Sequence, residues 1–280
     1  MPAPDLDAGR NTGRSAQDAA NLFHSTMKQA INKRRQIPLS MPDPDPAACS
    51  LDMRMAVCRK VPLFADLDDG QLAQVNRHCQ AQNFAAGEPV YLEGDAATHI
   101  YVVAIGAVKT TRLAADGRQS LIDLLTPGDF FGALPALGQQ FYADSATALT
   151  PACLLGLDAP EYDAILQEIP QVAVATLKGV AHRLTQSQHA IHMLAGAPLE
   201  QRLAALLLVL ADKVGKPWNE AMLLDVPLAR EDLAAMAGAA TESVSRLLSQ
   251  WQREGWIDAG RRWVAIVDAA RLEQVRDGMV

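Results

Sequence analysis

The stretch REDLAAMAGAATESVSRLLSQWQREGW (230–256) decides how the rest of the chain is read. It predicts two short helices separated by a tight turn. Leu233, Met236 and Ala237 form the inner face of the first helix. Gly238 ends it, because glycine accepts the positive φ that a helix C-terminus often requires. Thr241 is expected to cap the second helix, with Glu242 in its first turn near the positive end of the dipole. Val244, Leu247, Leu248 and Trp251 then recur at i, i+3, i+4 and i+7, the spacing of one buried face. The opposite face carries Glu242, Ser245, Arg246, Ser249, Gln250 and Arg253. Glutamate accepts from cytosine N4, and arginine donates two bonds to guanine O6 and N7. A helix of this size enters the major groove with its N-terminal part in helix-turn-helix proteins. The competing reading is an amphipathic helix pair whose polar face is solvated.

Downstream, Trp256-Ile257 and Trp263–Val267 flank Asp258-Ala259-Gly260-Arg261. That pattern predicts a hairpin, or wing, with Arg261 and Arg262 at its tip where they could meet phosphates. A last helix is expected over about 269–275. Upstream, Pro198 separates the helix LEQRLAALLLVLADKV (199–214) from a long helix that Pro170 opens and that runs to about Leu194. In the long helix Leu177, Leu184 and Ile191 repeat at seven, interleaved with Ala173, Val180, Ser187 and Leu194. A seam of this kind over about three heptads suits a coiled-coil dimer. Packing on the chain's own β domain is the alternative.

From Phe84 to Asp158 the texture is different: short apolar runs divided by glycines at 87, 94, 106, 117, 128, 132 and 138. YVVAI (101–105), KTTRL (109–113) and LIDLL (121–125) read as strands, with turns at 115–117 and 127–129. Regular short strands with glycine turns predict an antiparallel roll or barrel. VPLFADLDDGQLAQVNRHCQA (61–81) reads as a short helical segment before it. Residues 1–57 read as a tail, with the Pro/Asp run MPDPDP (41–46) and one candidate amphipathic helix from Ser15 to Arg35. A largely disordered or partly helical extension is expected there, and Met41, Met53 or Met55 could serve as the start.

The 280 residues, 49% of them hydrophobic, suffice for two cored domains and a tail. No apolar run reaches the ~18 residues of a membrane span, and the first residues lack the apolar core of a secretory signal. Four scattered cysteines, at 49, 58, 79 and 153, do not form a secreted disulfide framework, so a cytoplasmic setting is expected. The net charge of −7 divides unevenly: +3 over residues 1–60, −8 over 61–194 and −2 over 195–280. The helix-turn-helix region is therefore not basic as a whole. Affinity for nucleic acid must come from the placement of Arg246, Arg253, Arg261 and Arg262.

The combination of GEPVYLEGDAATHIYVVAIGAVKTTRLAADGRQSLIDLLTPGDFFG (87–132), the long helix and LAREDLAAMAGAATESVSRLLSQWQREGWI (228–257) resembles the CRP/FNR superfamily of bacterial transcription regulators over about residues 58–275. The resemblance implies an α+β chain: a cyclic-nucleotide-binding-like antiparallel β-roll, a long dimerisation helix and a C-terminal winged helix-turn-helix. The expected division is 1–57 extension, 58–168 sensor roll, 169–195 dimer helix and 196–280 DNA-binding domain. The implied partners are double-stranded DNA, a second copy of the chain on a palindrome, and RNA polymerase. The face Glu242-Ser243-Val244-Ser245-Arg246 resembles the FNR branch, which implies TTGAT-like half-sites. Glu242 and Arg246 are then expected to read bases, with Ser245 tuning the outer pair. Thr241 stands where the cyclic-AMP-receptor branch has an arginine.

The same resemblance informs what the roll could sense. Cyclic-nucleotide members hold the ligand with Gly-Glu-Leu and a later Arg-Ser. Here the corresponding residues are Gly132-Ala133-Leu134 and Asp144-Ser145, with Ser187 on the long helix beside the expected pocket. An aspartate repels a phosphate, so ordinary cAMP or cGMP binding is not expected. An alternative is an iron–sulfur cluster of the FNR kind on Cys49, Asp52, Cys58 and Cys153, with a carboxylate in place of one thiolate. A haem or thiol sensor using His99, His182, His189 or His192 is a further alternative, and so is no effector at all. Enzyme classes find little support. A cupin needs a His-x-His metal set, whereas the roll has only His99, and no P-loop, Gly-x-Ser-x-Gly or His-Glu-x-x-His occurs. An interaction module whose helix-turn-helix does not bind DNA is the remaining class.

Overall fold

A computed structural model describes residues 38–40, 50–113, 119–132, 134 and 138–279. The chain divides into two compact units, Met1–Pro38 and Leu39–Val280, and the architecture below is that of the second. The candidate helix at Ser15–Arg35, Cys49 and Ala133 lie outside the described residues, as do the side chains of His189, Ile191, His192 and Leu194.

Among the described residues two helices precede the roll, α1 (Leu51–Cys58) and α2 (Asp69–His78). Here the sequence reading needs two corrections. Residues 51–57, read as part of the extension, pack with the roll: Ser50 Oγ accepts from Met53 N at 3.3 Å to start a helix whose Val57 and Cys58 are buried in its core. The expected helix over 61–81 shrinks to ten residues, because Asp68 and Gln71 close a reciprocal cap only there. Val61, Leu63 and Phe64 are buried from turns instead.

Eight strands follow: β1 (Cys79–Phe84), β2 (Pro89–Tyr91), β3 (His99–Ile105), β4 (Val108–Leu113), β5 (Gln119–Leu125), β6 (Phe130–Gly132), β7 (Ser145–Ala148) and β8 (Ala152–Asp158). They form two antiparallel four-stranded sheets, ordered β1-β8-β3-β6 and β2-β7-β4-β5. Strand β3 is apolar on both faces. Ile100 and Val102 pack with the flanking helices, whereas Tyr101 and Val103 point into the roll, as alternation along a doubly covered strand requires. Antiparallel register sets His99 opposite Asp158, and their side chains pair at 2.8 Å.

Helix α3 (Ala159–Glu168) leads to α4 (Pro170–Gly196), which is about 40 Å long at 1.5 Å per residue. One side of α4 packs on the roll. Val172 and Thr176 are buried, Thr176 Oγ1 lies 2.6 Å from Tyr162 Oη, and Gly179 leaves room for the Phe130 ring. The other side exposes Val174, Leu177, Val180 and Leu184.

The C-terminal domain comprises α5 (Leu199–Val214), β9 (Gly215–Trp218), β10 (Ala221–Leu224), α6 (Arg230–Met236), α7 (Thr241–Arg253), β11 (Ile257–Ala259), β12 (Val264–Ile266) and α8 (Ala269–Arg276). Its sheet runs β11-β12-β10-β9. The β9–β10 hairpin was not anticipated, since Pro217 argues against a strand. It is tolerated because β9 is an edge, and Asn219 turns the hairpin at φ +53°. Leu203, Leu207, Leu233, Val244, Leu248, Trp251 and Leu272 fill the core, which Ala107, Leu124 and Leu149 of the roll also join.

Candidate nucleic-acid interface and effector region

The turn of the helix pair is built from both ends. Gly238 adopts φ +60° after the C-cap Ala237, as the sequence requires. Arg202 of α5 then binds the freed carbonyls: its guanidinium donates to Ala237 O at 2.9 Å, Gly238 O at 3.3 Å and Ala197 O at 3.1 Å. Nothing in the helix pattern singled out Arg202. Asp232 anchors the start of α6, accepting from Ala229 N at 2.9 Å and from Lys109 Nζ of β4 at 3.0 Å. Lys213 of α5 similarly reaches Asp129 at 3.0 Å and Asp123 at 3.8 Å. Burial raises the Asp123 carboxyl above its usual range despite that cation.

Helix α7 buries Val244, Leu247, Leu248 and Trp251 and turns its polar face outward. Thr241 is not the cap. Ala240 holds the extended cap geometry (ψ 141°), and Thr241 is the first helical residue, a one-residue displacement with no side-chain cap bond. Glu242 and Arg246 are exposed and make no hydrogen bond or ion pair among the described residues. Ser245 is half-buried, and its carbonyl accepts from Arg230 at 3.0 Å. Ser249 is turned back: its hydroxyl donates to Ser245 O at 2.7 Å. Arg253 lies along the helix on Ser249 O at 3.3 Å, exposed.

The wing forms as expected. Ile257–Ala259 pair with Val264–Ile266, and Gly260 N donates to Trp263 O at 3.0 Å, leaving Arg261 and Arg262 exposed at the tip. A Cβ at residue 260 would stand 2.2 Å from the Trp263 indole nitrogen, so only glycine fits.

In the roll, the residues expected around an effector hold one another. Asp144 Oδ1 accepts from Tyr91 Oη at 3.0 Å, and burial raises both groups above their usual ranges. Ser145 Oγ accepts from Glu93 N at 2.9 Å. Gly132 lies against His99 O, where a Cβ would come within 2.7 Å. Leu134 exchanges bonds with Gln139. Tyr91, Tyr101, Phe131 and Tyr142 are all buried inside the roll, Tyr91 and Tyr142 stacking at 3.7 Å. Burial and neighbouring Tyr142 push the Tyr101 hydroxyl up to about 12. Ser187 is exposed on α4, while Arg183 donates to Phe130 O and lies over its ring.

Of the expected metal set, Cys49 lies outside the described residues, and the other three members stand apart. Asp52 is exposed in the first turn of α1, whereas Cys58 is buried at the far end, about 9 Å along the axis. The Cys58 thiol pairs with Cys79, which lowers Cys58 and raises Cys79 from the usual thiol range. Cys153 is buried opposite Asn83, four residues, or about 13 Å, along the sheet from Cys79. Among the described residues no cluster of three or more His, Cys, Asp or Glu could hold a metal. Of the candidate histidines, His99 is occupied by Asp158 and Thr98, and His182 is exposed on α4.

Residues 81–169 match the cyclic nucleotide-binding domain and residues 201–275 the Crp-like helix-turn-helix domain. A CRP-family transcriptional regulator of Thermus thermophilus is 30% identical, covering 70% of this chain and 96% of its own, with a TM-score of 0.60. The chain belongs to the CRP/FNR superfamily of transcription regulators. The CRP-like cAMP-activated global transcriptional regulator of Mycobacterium tuberculosis is 28% identical over 75% of this chain and 94% of its own length. The transcriptional activator protein FnrL of Cereibacter sphaeroides is 29% identical over 74% and 85%. This CRP/FNR chain is thus a DNA-binding transcription regulator. Among its described residues no helix is long and apolar enough to cross a membrane.

Proposed function

We propose that two copies of this chain pair along residues 169–195 and present two α7 helices to successive major grooves of one palindrome. Glu242 and Arg246 read base edges, Ser245 tunes the outer pair, and Arg253, Arg261 and Arg262 meet phosphates. The observation that carries this reading is the division of α7, with four large apolar side chains buried and Glu242 and Arg246 exposed and unpaired among the described residues. Pairing is supported by the second division, on α4, where Leu177 and Leu184 remain 62% and 59% exposed while Val172 and Thr176 are buried. Residues 58–168 act as the sensor and 196–280 as the reader, with RNA polymerase the partner on DNA that the family suggests.

The roll does not respond to cAMP in this reading. A phosphate near Asp144 would meet a carboxylate already held by Tyr91 at 3.0 Å, while the nearby Arg112 is engaged by Ala143 O at 2.7 Å. A mobility shift with a TTGAT-type inverted repeat, half-sites about 34–36 Å apart, tests the whole. Retention of the repeat over scrambled duplex, unchanged by added cAMP, is expected. Equal retention of both duplexes, or retention only with cAMP, contradicts it.

A further inference from the structure

The winged sheet is apolar on both faces. Leu224, Val264 and Ile266 face the helices of the DNA-binding domain, while the alternate residues Leu223 and Ala265 share the opposite face with Trp263. An outer face of this kind belongs in water only if it is polar. Here Leu223, Trp263 and Ala265 are 3%, 2% and 0% exposed. Among the described residues from outside this sheet, the side chain packed on them is Leu39, from the segment before the roll. The next residue fixes the register. Ser40 N donates to Asp225 Oδ1 at 2.7 Å, and the other oxygen of that buried carboxylate takes Lys216 Nζ at 2.5 Å.

We propose that Leu39–Ser40 is a strap whose docking surface is the outer face of the winged sheet, and that its docking sets how firmly the wing is presented to DNA. Two features give it that reach. Trp263, on which Leu39 packs, also underlies Gly260 and bonds it at 3.0 Å, so the strap bears on the base of the loop that carries Arg261 and Arg262. The same polypeptide is pinned to the roll ten residues later, where Ser50 caps α1 and Val57 and Cys58 are buried. Ten residues span at most about 35 Å. The strap is therefore a tether between sensor and reader: continuous in the chain with α1 of the roll, it is held on the sheet by the Leu39 packing and the Ser40–Asp225 hydrogen bond. Any swing of the winged sheet beyond that reach must pull Leu39 off it.

The test compares full-length protein with Leu39→Asp, Leu39→Met and a chain begun at Met41. Amide hydrogen exchange is followed in β10 and β12, with Ile100–Val103 of the roll as internal reference. Loss of the strap lowers the free energy of local opening. Leu39→Asp and the Met41 start should both speed exchange at 222–224 and 264–266 by about threefold or more, while Leu39→Met keeps the parental rate. Parental rates in both variants overturn the proposal. So does acceleration shared by the roll strand, since the strap is not part of that core. On the palindrome, both variants should bind about three- to tenfold more weakly, with a shallower salt dependence as wing phosphate contacts are lost; parental affinity in both refutes control of the wing. This DNA arm rests on the function proposed above. Failure of the parent itself to bind DNA would tell against that function and leave the exchange result to stand by itself.

Discussion

Replacing Leu184 by alanine tests the pairing of two copies where it is most exposed to failure. The side chain is 59% exposed in the single chain, so it adds little to the folding of one protomer. In a two-fold dimer it would be buried twice. Truncation to alanine removes three carbons at about 0.8 kcal/mol each. With part of each side chain already covered, that comes to about 2 kcal/mol per protomer and about 4 kcal/mol per dimer. At 1.4 kcal/mol per decade, the dissociation constant should rise by about a thousandfold. Sedimentation equilibrium over a wide concentration range measures this directly, and thermal unfolding of the dilute protomer controls for damage to the fold. A protein dimeric at micromolar concentration should become largely monomeric, with its melting temperature as a monomer preserved. DNA affinity should fall with it, because one half-site forfeits the second. A dissociation constant unchanged within about threefold, or a parent protein that is monomeric throughout, refutes the assignment of this face to pairing.

Other perturbations probe the reader and the roll. Arg246→Ala should cost about 1–3 kcal/mol on the palindrome and relax preference at one base pair, while binding to scrambled duplex, read by mobility shift, stays within about twofold. Arg202→Ala leaves the Ala237 and Gly238 carbonyls without their donor; urea unfolding of the DNA-binding domain should register a loss of about 2 kcal/mol. Asp144→Asn should raise the melting temperature at neutral pH. Burial lifts the Asp144 carboxyl above its unfolded value, so its ionised form opposes folding, and that penalty is present above the folded pKa. The advantage of the asparagine variant should shrink as pH falls through that value and vanish below the unfolded one. An advantage that grows toward acid would reverse the sign and refute it.

Legibility differed from region to region for physical reasons. Helix α7 was readable because four apolar residues at helical spacing leave only one way to bury a face, and they are the four found buried. The roll was readable from its glycine spacing, and β3, β4 and β5 contain the three quoted runs. Thr241 was misplaced by one residue because a threonine next to an alanine is the better cap by side-chain chemistry, yet the extended backbone at Ala240 decides. The β9–β10 hairpin was hidden because its signal is an asparagine at positive φ, and Pro217 masks the strand. Arg202, Lys109–Asp232 and Lys213–Asp129 join residues 35, 123 and 84 apart in sequence. Pairing at such distance leaves no periodic trace, so no local pattern could have found it.

Those long-range pairs bear on how such a chain could be a regulator at all with a reader region of net charge −2. The cations of that region are not equivalent. Arg202 and Lys213 are engaged inside, on turn carbonyls and on Asp129, and Lys216 is engaged by Asp225. Arg246, Arg253, Arg261 and Arg262 remain exposed on α7 and the wing tip. Two of the acids are withdrawn from that face, although Glu242 and Glu254 remain exposed on it. Asp225 and Asp232 are turned inward onto lysines, which removes them from the field at the reading face. What a groove would meet is thus a local excess of arginine against a near-neutral total. Binding built this way gains little from non-specific attraction and depends on correct placement of a few side chains. The residues that do the placing, Arg202 at the turn and Trp263 beneath the wing, should therefore matter to DNA recognition nearly as much as the arginines they position.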